Sequence, residues 1–172
     1  IRAFDKVQDK NSIFIFLGSL HPLAIPEHRV VLKDAMILAH RLGLDNRVKF
    51  IGEFLPEEEL NKYLLATDVF LFNHKHIYPV YSASASIKRV LYAGRPLVIS
   101  NSPLYSEFTG KEVMRFDSGD YQRTAWYLNE ILSNGELYSQ YSRNILNYAH
   151  EINWANQAAK HYMLYKSILR GK

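Results

Sequence analysis

Three serines alternate with alanines at Ser82, Ser84 and Ser86, just before the helical spacing of Ile87, Val90 and Leu91. Small side chains at a helix start let a ligand approach the backbone, and the free N–H groups there attract an anion. The chemistry this predicts is phosphate binding along 82–86, Ala85 included, with Ser84 the foremost candidate. Helix capping is the competing use of the same hydroxyl. Lys88 and Arg89 follow one turn in, where a cation either meets a bound anion or forms a solvated helix face.

Upstream, Gly18-Ser19 offers flexible backbone beside a ligand, or only the turn that ends a strand. His21 is held extended by Pro22 and can donate to a phosphate or hydroxyl, or make a structural hydrogen bond. Glu53, between Gly52 and Phe54, can anchor a ribose hydroxyl or a base edge, or stay solvated at a strand end. His74 and His76 share a side of an extended segment, but no third ligand is in register, so no metal centre and no other cofactor is expected. No Ser-His-Asp or paired-carboxylate order stands out, and no residue is assigned a catalytic role.

These residues need a scaffold that brings strand ends together. The first residues suit the end of an amphipathic helix, and 13–17 reads as a fully buried strand. A helix over about 26–42 carries Val31, Ala35, Leu38 and Leu42 on one stripe and stops at Gly43. Strand 48–51 follows, and then Pro56 with Glu57, Glu58 and Glu59 opens a helix whose Leu60, Tyr63 and Leu64 face inward. Strand 68–72 leads through loop 73–80 to the serine-bearing helix, which Gly94 and Pro96 end before strand 97–99. A turn or short helix at 102–108, a strand at 113–116 and helices at about 121–132, 136–150 and 154–169 complete the chain. Strand and helix alternating with short links predict an α/β fold, a doubly wound parallel Rossmann-like sheet with a helical C-terminal tail. In such sheets ligands bind at strand carboxyl ends, so 18–22, 52–55, 73–86 and 100–106 are the functional loops, expected on one edge.

At 172 residues the expectation is one domain, 1–172. A chain without cysteine makes no disulfide and does no thiolate chemistry. The formal charge of +4 suits a phosphate-bearing small ligand or peripheral association with an anionic membrane surface. Its Lys and Arg are scattered among acids, which argues against nucleic acid. No apolar run approaches the roughly 18 residues of a membrane span, and Ile1-Arg2-Ala3-Phe4 resembles no signal or transit peptide, so the cytoplasm is the default. That opening reads instead as a helix in progress, in a chain that starts mid-domain.

The order of elements, with several short motifs, resembles the C-terminal, donor-binding half of a group 1 (family 4) retaining glycosyltransferase of the GT-B type. The motifs are Asp45-Asn46-Arg47-Val48-Lys49-Phe50-Ile51-Gly52, Glu58-Glu59-Leu60 through Ala66-Thr67-Asp68-Val69-Phe70-Leu71, Leu91-Tyr92-Ala93-Gly94-Arg95-Pro96-Leu97-Val98-Ile99-Ser100, and Asn153-Trp154. The resemblance implies transfer of a sugar from a nucleotide-diphosphate sugar to an acceptor hydroxyl, with retention and without a metal. It places Gly52 to Phe54 beside the base and the 82–86 backbone at the diphosphate. The family's pair of glutamates falls on Tyr81 and Arg89, and a cation at 89 can meet phosphate instead of ribose. Ser84-Ala85-Ser86 with Gly18-Ser19-Leu20-His21-Pro22 looks like a subgroup with a serine-rich site helix and a His-Pro loop. The implied enzyme is longer, with an N-terminal domain for a glycan or lipid-linked acceptor and a phosphate clamp before the first helix, so the chain alone is expected to be inactive. A non-catalytic binding or scaffolding domain, and an epimerase of similar architecture, are the other readings.

Overall fold

Strand and helix alternate as expected, and every described strand pair is parallel. The computed structural model describes residues 1–18, 26–74 and 84–171. Its elements in chain order are α1 (Arg2–Asp5), β1 (Phe14–Leu17), α2 (Pro26–Arg41), β2 (Val48–Ile51), α3 (Glu57–Ala66), β3 (Phe70–Phe72), α4 (Ala85–Val90), β4 (Leu97–Ser100), β5 (Val113–Phe116), α5 (Tyr121–Ser133), α6 (Gly135–Glu151) and α7 (Trp154–Arg170). Backbone contacts divide them into two units, Ile1–Thr67 with Gly119–Asn134 and Asp68–Ser118 with Gly135–Lys172.

In the first unit β1 pairs with β2, Phe16 opposite Phe50. Directly opposed residues bring their side chains together, and these two rings stack at 4.9 Å. Arg47 sets the entry to this pair. Its guanidinium lies 4.7 Å from the Phe4 ring and donates to the carbonyls of Asp9 at 2.8 Å and Ser12 at 3.2 Å. Asn129 of α5 accepts from the Gln8 N–H at 2.8 Å and donates to the Lys6 carbonyl at 3.2 Å, which ties α5 to the end of α1.

Two expectations need correcting here. The stripe that α2 turns inward runs through Leu32, Ala35, Leu38, Ala39 and Leu42, so Ala35, Leu38 and Leu42 stand as expected and Val31, 67% exposed, does not. In the run Val30-Val31-Leu32 apolar character does not choose which residue turns inward. Nor is β1 fully buried, since Ile15 is 40% and Phe16 36% exposed. Among the described residues it has one partner strand, and α2 turns Val30, Val31, Met36 and Ile37 outward.

The second unit holds the order β3-β4-β5. Central β4 is buried along its whole length, the condition of a parallel strand covered on both faces. Ile87, Val90 and Leu91 beside α4, and Ile145 and Ala149 of α6, join it in the core. The site helix is shorter than expected, starting at Ala85 and tightening to a 3-10 turn at Leu91–Ala93. Gly94 then ends it in the left-handed conformation at φ 64°.

That glycine is needed twice over. A Cβ at Gly94 would stand 2.9 Å from the Leu146 side chain of α6, below any ordinary contact, and the left-handed backbone penalises L side chains by itself. Gly94→Ala is expected to cost about 2–3 kcal/mol, read as a lowered urea midpoint. The double change G94A/L146A should recover the steric part relative to L146A alone and keep about 1 kcal/mol of backbone cost. An unchanged midpoint for G94A would disprove the close approach.

Candidate functional site

In the first unit, the carboxyl ends of both strands run into open backbone. Gly18 has φ 149°, a value that L side chains rarely adopt, and its N–H donates to the Ile51 carbonyl at 3.0 Å. Nothing lies within 4 Å of a Cβ added at Gly18 or at Gly52. Gly52, Glu53 and Phe54 are exposed past β2, and Phe54, 90% exposed, presents a whole ring on which a planar group can stack. Ser19, His21, Tyr81 and Ser82 lie outside the described residues, as does His76.

In the second unit a set of hydroxyl and imidazole groups meets where β3 and β4 end. Phe72 pairs with Ile99, so β4 reaches one residue further, to Ser100. Ser100 is completely buried, and a buried hydroxyl needs partners. It accepts from the His74 N–H and donates to the His74 carbonyl, each at 2.9 Å. Tyr105 closes the 3-10 turn Pro103–Tyr105, which Ser102 caps by accepting from the Leu104 N–H at 3.4 Å. The Tyr105 ring is fully buried, 6.3 Å from Phe72 and 5.6 Å from His74, and its phenol is hydrogen-bonded to His74 Nδ1.

Ser84 joins this group. It caps α4, accepting from the Ile87 N–H at 3.4 Å as the capping alternative held, and it lies near the Tyr105 phenol. Burial pushes the phenol up to about 12, against a smaller opposing influence of the nearby Ser84 hydroxyl, so it keeps its proton at neutral pH. Burial moves the His74 imidazole downward, favouring its neutral form. A neutral, protonated chain of groups can position and donate hydrogen bonds; nothing in it is a thiolate, a free carboxylate or a metal centre. No group of three or more His, Cys, Asp and Glu able to hold a metal occurs among the described residues.

Ser100 and Tyr105 fall in the 100–106 loop and His74 in the 73–86 loop that strand-end position marks as functional, but no individual role was assigned to Ser100 or Tyr105, and His74 was weighed only as a metal ligand. A cleft of about 500 Å³ elsewhere in the unit, lined by Glu112, Asn144 and Tyr148 among others, includes the turn that enters β5 and so belongs to the opposite ends of the strands.

Along α4, Ala85, Ser86 and Arg89 are exposed, whereas Lys88 turns to the protein. Its ammonium pairs with Glu107 and lies 5.7 Å from the Tyr148 ring, and the Tyr148 phenol donates to the same carboxylate oxygen at 2.9 Å. Burial first, then the hydrogen bond and charge of Glu107, push the Tyr148 phenol upward, so it remains a donor. The other Glu107 oxygen is buried without a hydrogen-bond partner, which makes the carboxylate dependent on Lys88 for compensation. Lys88→Met is therefore expected to destabilise by about 2 kcal/mol, between the exposed and buried limits for an ion pair. K88M/E107Q should recover most of that loss in a thermal melt. Equal melting of wild type and K88M would show the pair to be ornamental.

No family model matches the sequence, and no curated protein matches it by sequence. Comparison with solved structures does find likenesses. HepE from Anabaena, solved in complex with UDP, matches with a TM-score of 0.75 at 20% identity over 95% of this chain and 43% of HepE. The same protein solved with UDP-glucose matches with a TM-score of 0.75 at 19% identity. Sucrose-phosphate synthase from Thermosynechococcus elongatus matches with a TM-score of 0.69 at 17% identity over 99% of this chain and 41% of its own. The C-terminal domain of a glycosyl transferase group 1 family protein, LpcC, from Francisella tularensis matches with a TM-score of 0.69 at 14% identity, over 85% of this chain and 75% of that domain. The chain thus spans less than half the length of HepE and of the synthase. At these identities the likeness is one of fold, and the chain has the fold of the C-terminal half of a GT-B glycosyltransferase.

Proposed function

We propose that the chain is the donor-binding domain of a glycosyltransferase that moves a sugar from a nucleotide-diphosphate sugar to an acceptor hydroxyl with retention of configuration. One observation carries this reading: the fold matches that of HepE, which is solved with UDP and with UDP-glucose, over almost the whole chain. The hydroxyl and imidazole cluster at the ends of β3 and β4 supports it, because strand carboxyl ends are where parallel sheets receive ligands. Retention rests on the family resemblance alone.

In this reading the bond from the sugar's C1 to the diphosphate oxygen breaks with its electron pair on that oxygen. The domain's share is to hold the nucleoside diphosphate and stabilise the charge that develops there. Ser84, Ala85 and Ser86 are the positions at which backbone would meet the diphosphate, Arg89 a cation for the same group, and Phe54 a face for the base. The acceptor half is a partner that the chain would pack against. Support for it comes from α7, in which no residue is buried and Trp154, Tyr162, Tyr165 and Leu169 form an exposed apolar face. A helix of this length gains most of its stability from packing, which an uncovered face does not supply. No described helix is long and apolar enough to cross a membrane, and a cytoplasmic location belongs to the same proposal.

The second reading, a binding or scaffolding domain with a degenerate site, is favoured by Tyr81 and Arg89 standing where the resembled family has glutamates. Calorimetry of the chain with UDP-, GDP- and ADP-sugars separates the two. Binding of at least one donor is expected, with Ser84→Trp lowering affinity tenfold or more, about 1.4 kcal/mol. No heat with any donor, in this chain or in one joined to an acceptor half, would sink the enzyme reading.

A further inference from the structure

The cleft of about 500 Å³ in the second unit lies at the amino end of β5, away from the strand ends that carry the candidate donor contacts. One wall is α6, through Gln140, Tyr141, Asn144, Asn147, Tyr148 and Glu151, and the other is the turn 110–112. Its size falls within the range of small-ligand sites. The six positions form one stripe along about three turns of helix. A stripe turned toward a neighbouring segment is ordinarily apolar, and this one is built of amides, phenols and a carboxylate.

The walls are held without a ligand. Asn144 Nδ2 donates to the Lys111 carbonyl at 2.8 Å, which pins the turn to the helix. The Thr109 N–H and hydroxyl donate to the Glu112 carboxylate at 2.8 Å and 2.9 Å. The Tyr148 ring stands 5.0 Å from that of Phe108, and its phenol donates to Glu107. Among the described residues the Asn144 amide oxygen has no donor, and the side chains of Gln140, Asn147 and Glu151 have no hydrogen-bond partner. Fixed walls thus carry polar groups that no neighbour uses.

Charge and group type narrow the ligand. Two carboxylates, Glu112 and Glu151, line the cleft against one ammonium, Lys111. The Tyr148 phenol feels the same sign, since burial first and then Glu107, Glu112 and Glu151 push it upward. A nucleotide or phosphate is repelled by such a surface. Amide and carboxylate oxygens accept from hydroxyls, amide N–H groups donate to them, and tyrosine ring carbon packs against C–H groups. A neutral ligand dense in hydroxyls answers all three. We propose that the α6 cleft is a saccharide-binding site, separate from the donor edge, that takes a neutral oligosaccharide through Asn144, Asn147 and Glu151 with Tyr141 and Tyr148 as its apolar walls. The site stands independently of the donor-domain reading, because it uses none of the residues placed at the nucleotide.

The test is titration of the nitrogen-15-labelled chain with maltotriose, cellotriose, N-acetylchitotriose, UDP and spermidine, followed through its amide shifts. At least one trisaccharide should move the amides of 110–112 and 140–151 and leave those of 52–54 and 84–89 in place. Asn147→Ala and Glu151→Ala, both at exposed positions, should each weaken that trisaccharide about fivefold while melting with the wild type. The site is overturned by the absence of shifts at 110–112 and 140–151 with every trisaccharide, or by an affinity unchanged in both variants. Shifts there with UDP overturn the exclusion of anions and with it the proposal. A response to spermidine in place of the sugars overturns the neutral ligand and makes the cleft a cation site. Shifts with UDP at 52–54 or 84–89 bear on the donor-domain reading alone, so the two can fail separately.

Discussion

A buried hydroxyl at the end of the central strand governs the second unit. β4 is covered on both faces, so Ser100 ends it with no access to water, and the only cheap arrangement gives its oxygen both a donor and an acceptor. The N–H and carbonyl of His74 supply both. One side chain thereby replaces a missing rung of the ladder and holds the segment leaving β3 against β4. Everything that meets at that edge depends on this: His74 is hydrogen-bonded to the Tyr105 phenol only because its backbone is held, and Ser84 at the cap of α4 lies near that phenol.

The far end of α4 is held by different means. Its C-terminus closes through Gly94 against Leu146 of α6, a contact of shape, while Lys88 reaches Glu107 and Tyr148, a contact of charge and hydrogen bonding. Six residues are too few for a helix to persist by its own backbone bonds. Its orientation is borrowed from α6 and from the turn that follows β4. The cap at Ser84 and the anchor at Lys88 are one turn apart, so the element that carries the candidate diphosphate contacts is held at both ends by side chains that do not need a ligand.

The frame was legible because its signals are local. Leu97, Val98 and Ile99 form a continuous apolar run, and Gly94 and Pro96 punctuate it. Val31 was misassigned to the inward stripe of α2 because adjacent apolar residues do not say which of them turns in, and β1 was over-buried because a run such as Phe-Ile-Phe-Leu does not say how many neighbours it has. The site was harder for a related reason. Ser84 was singled out from its place in the Ser-Ala alternation, but the hydrogen bond between Tyr105 and His74 joins residues 31 apart in sequence and depends on how a 3-10 turn aims one ring. A tyrosine in a run of many reads as packing until its hydroxyl is seen to have partners.

The groups assembled at the β3 and β4 ends are uncharged, which constrains how they can bind. Lys88, a cation close to that edge in sequence, is spent on Glu107, and Arg89 lies on the exposed side of α4. A cluster of hydroxyls and a neutral imidazole attracts nothing over long range, so it adds little to encounter and little to salt dependence. Its contribution is made at contact, where the bonds of Ser100 and Tyr105 to His74 already hold these groups in place and little ordering remains to be done. Such a cluster favours selecting among ligands of equal charge over raising affinity for anions in general.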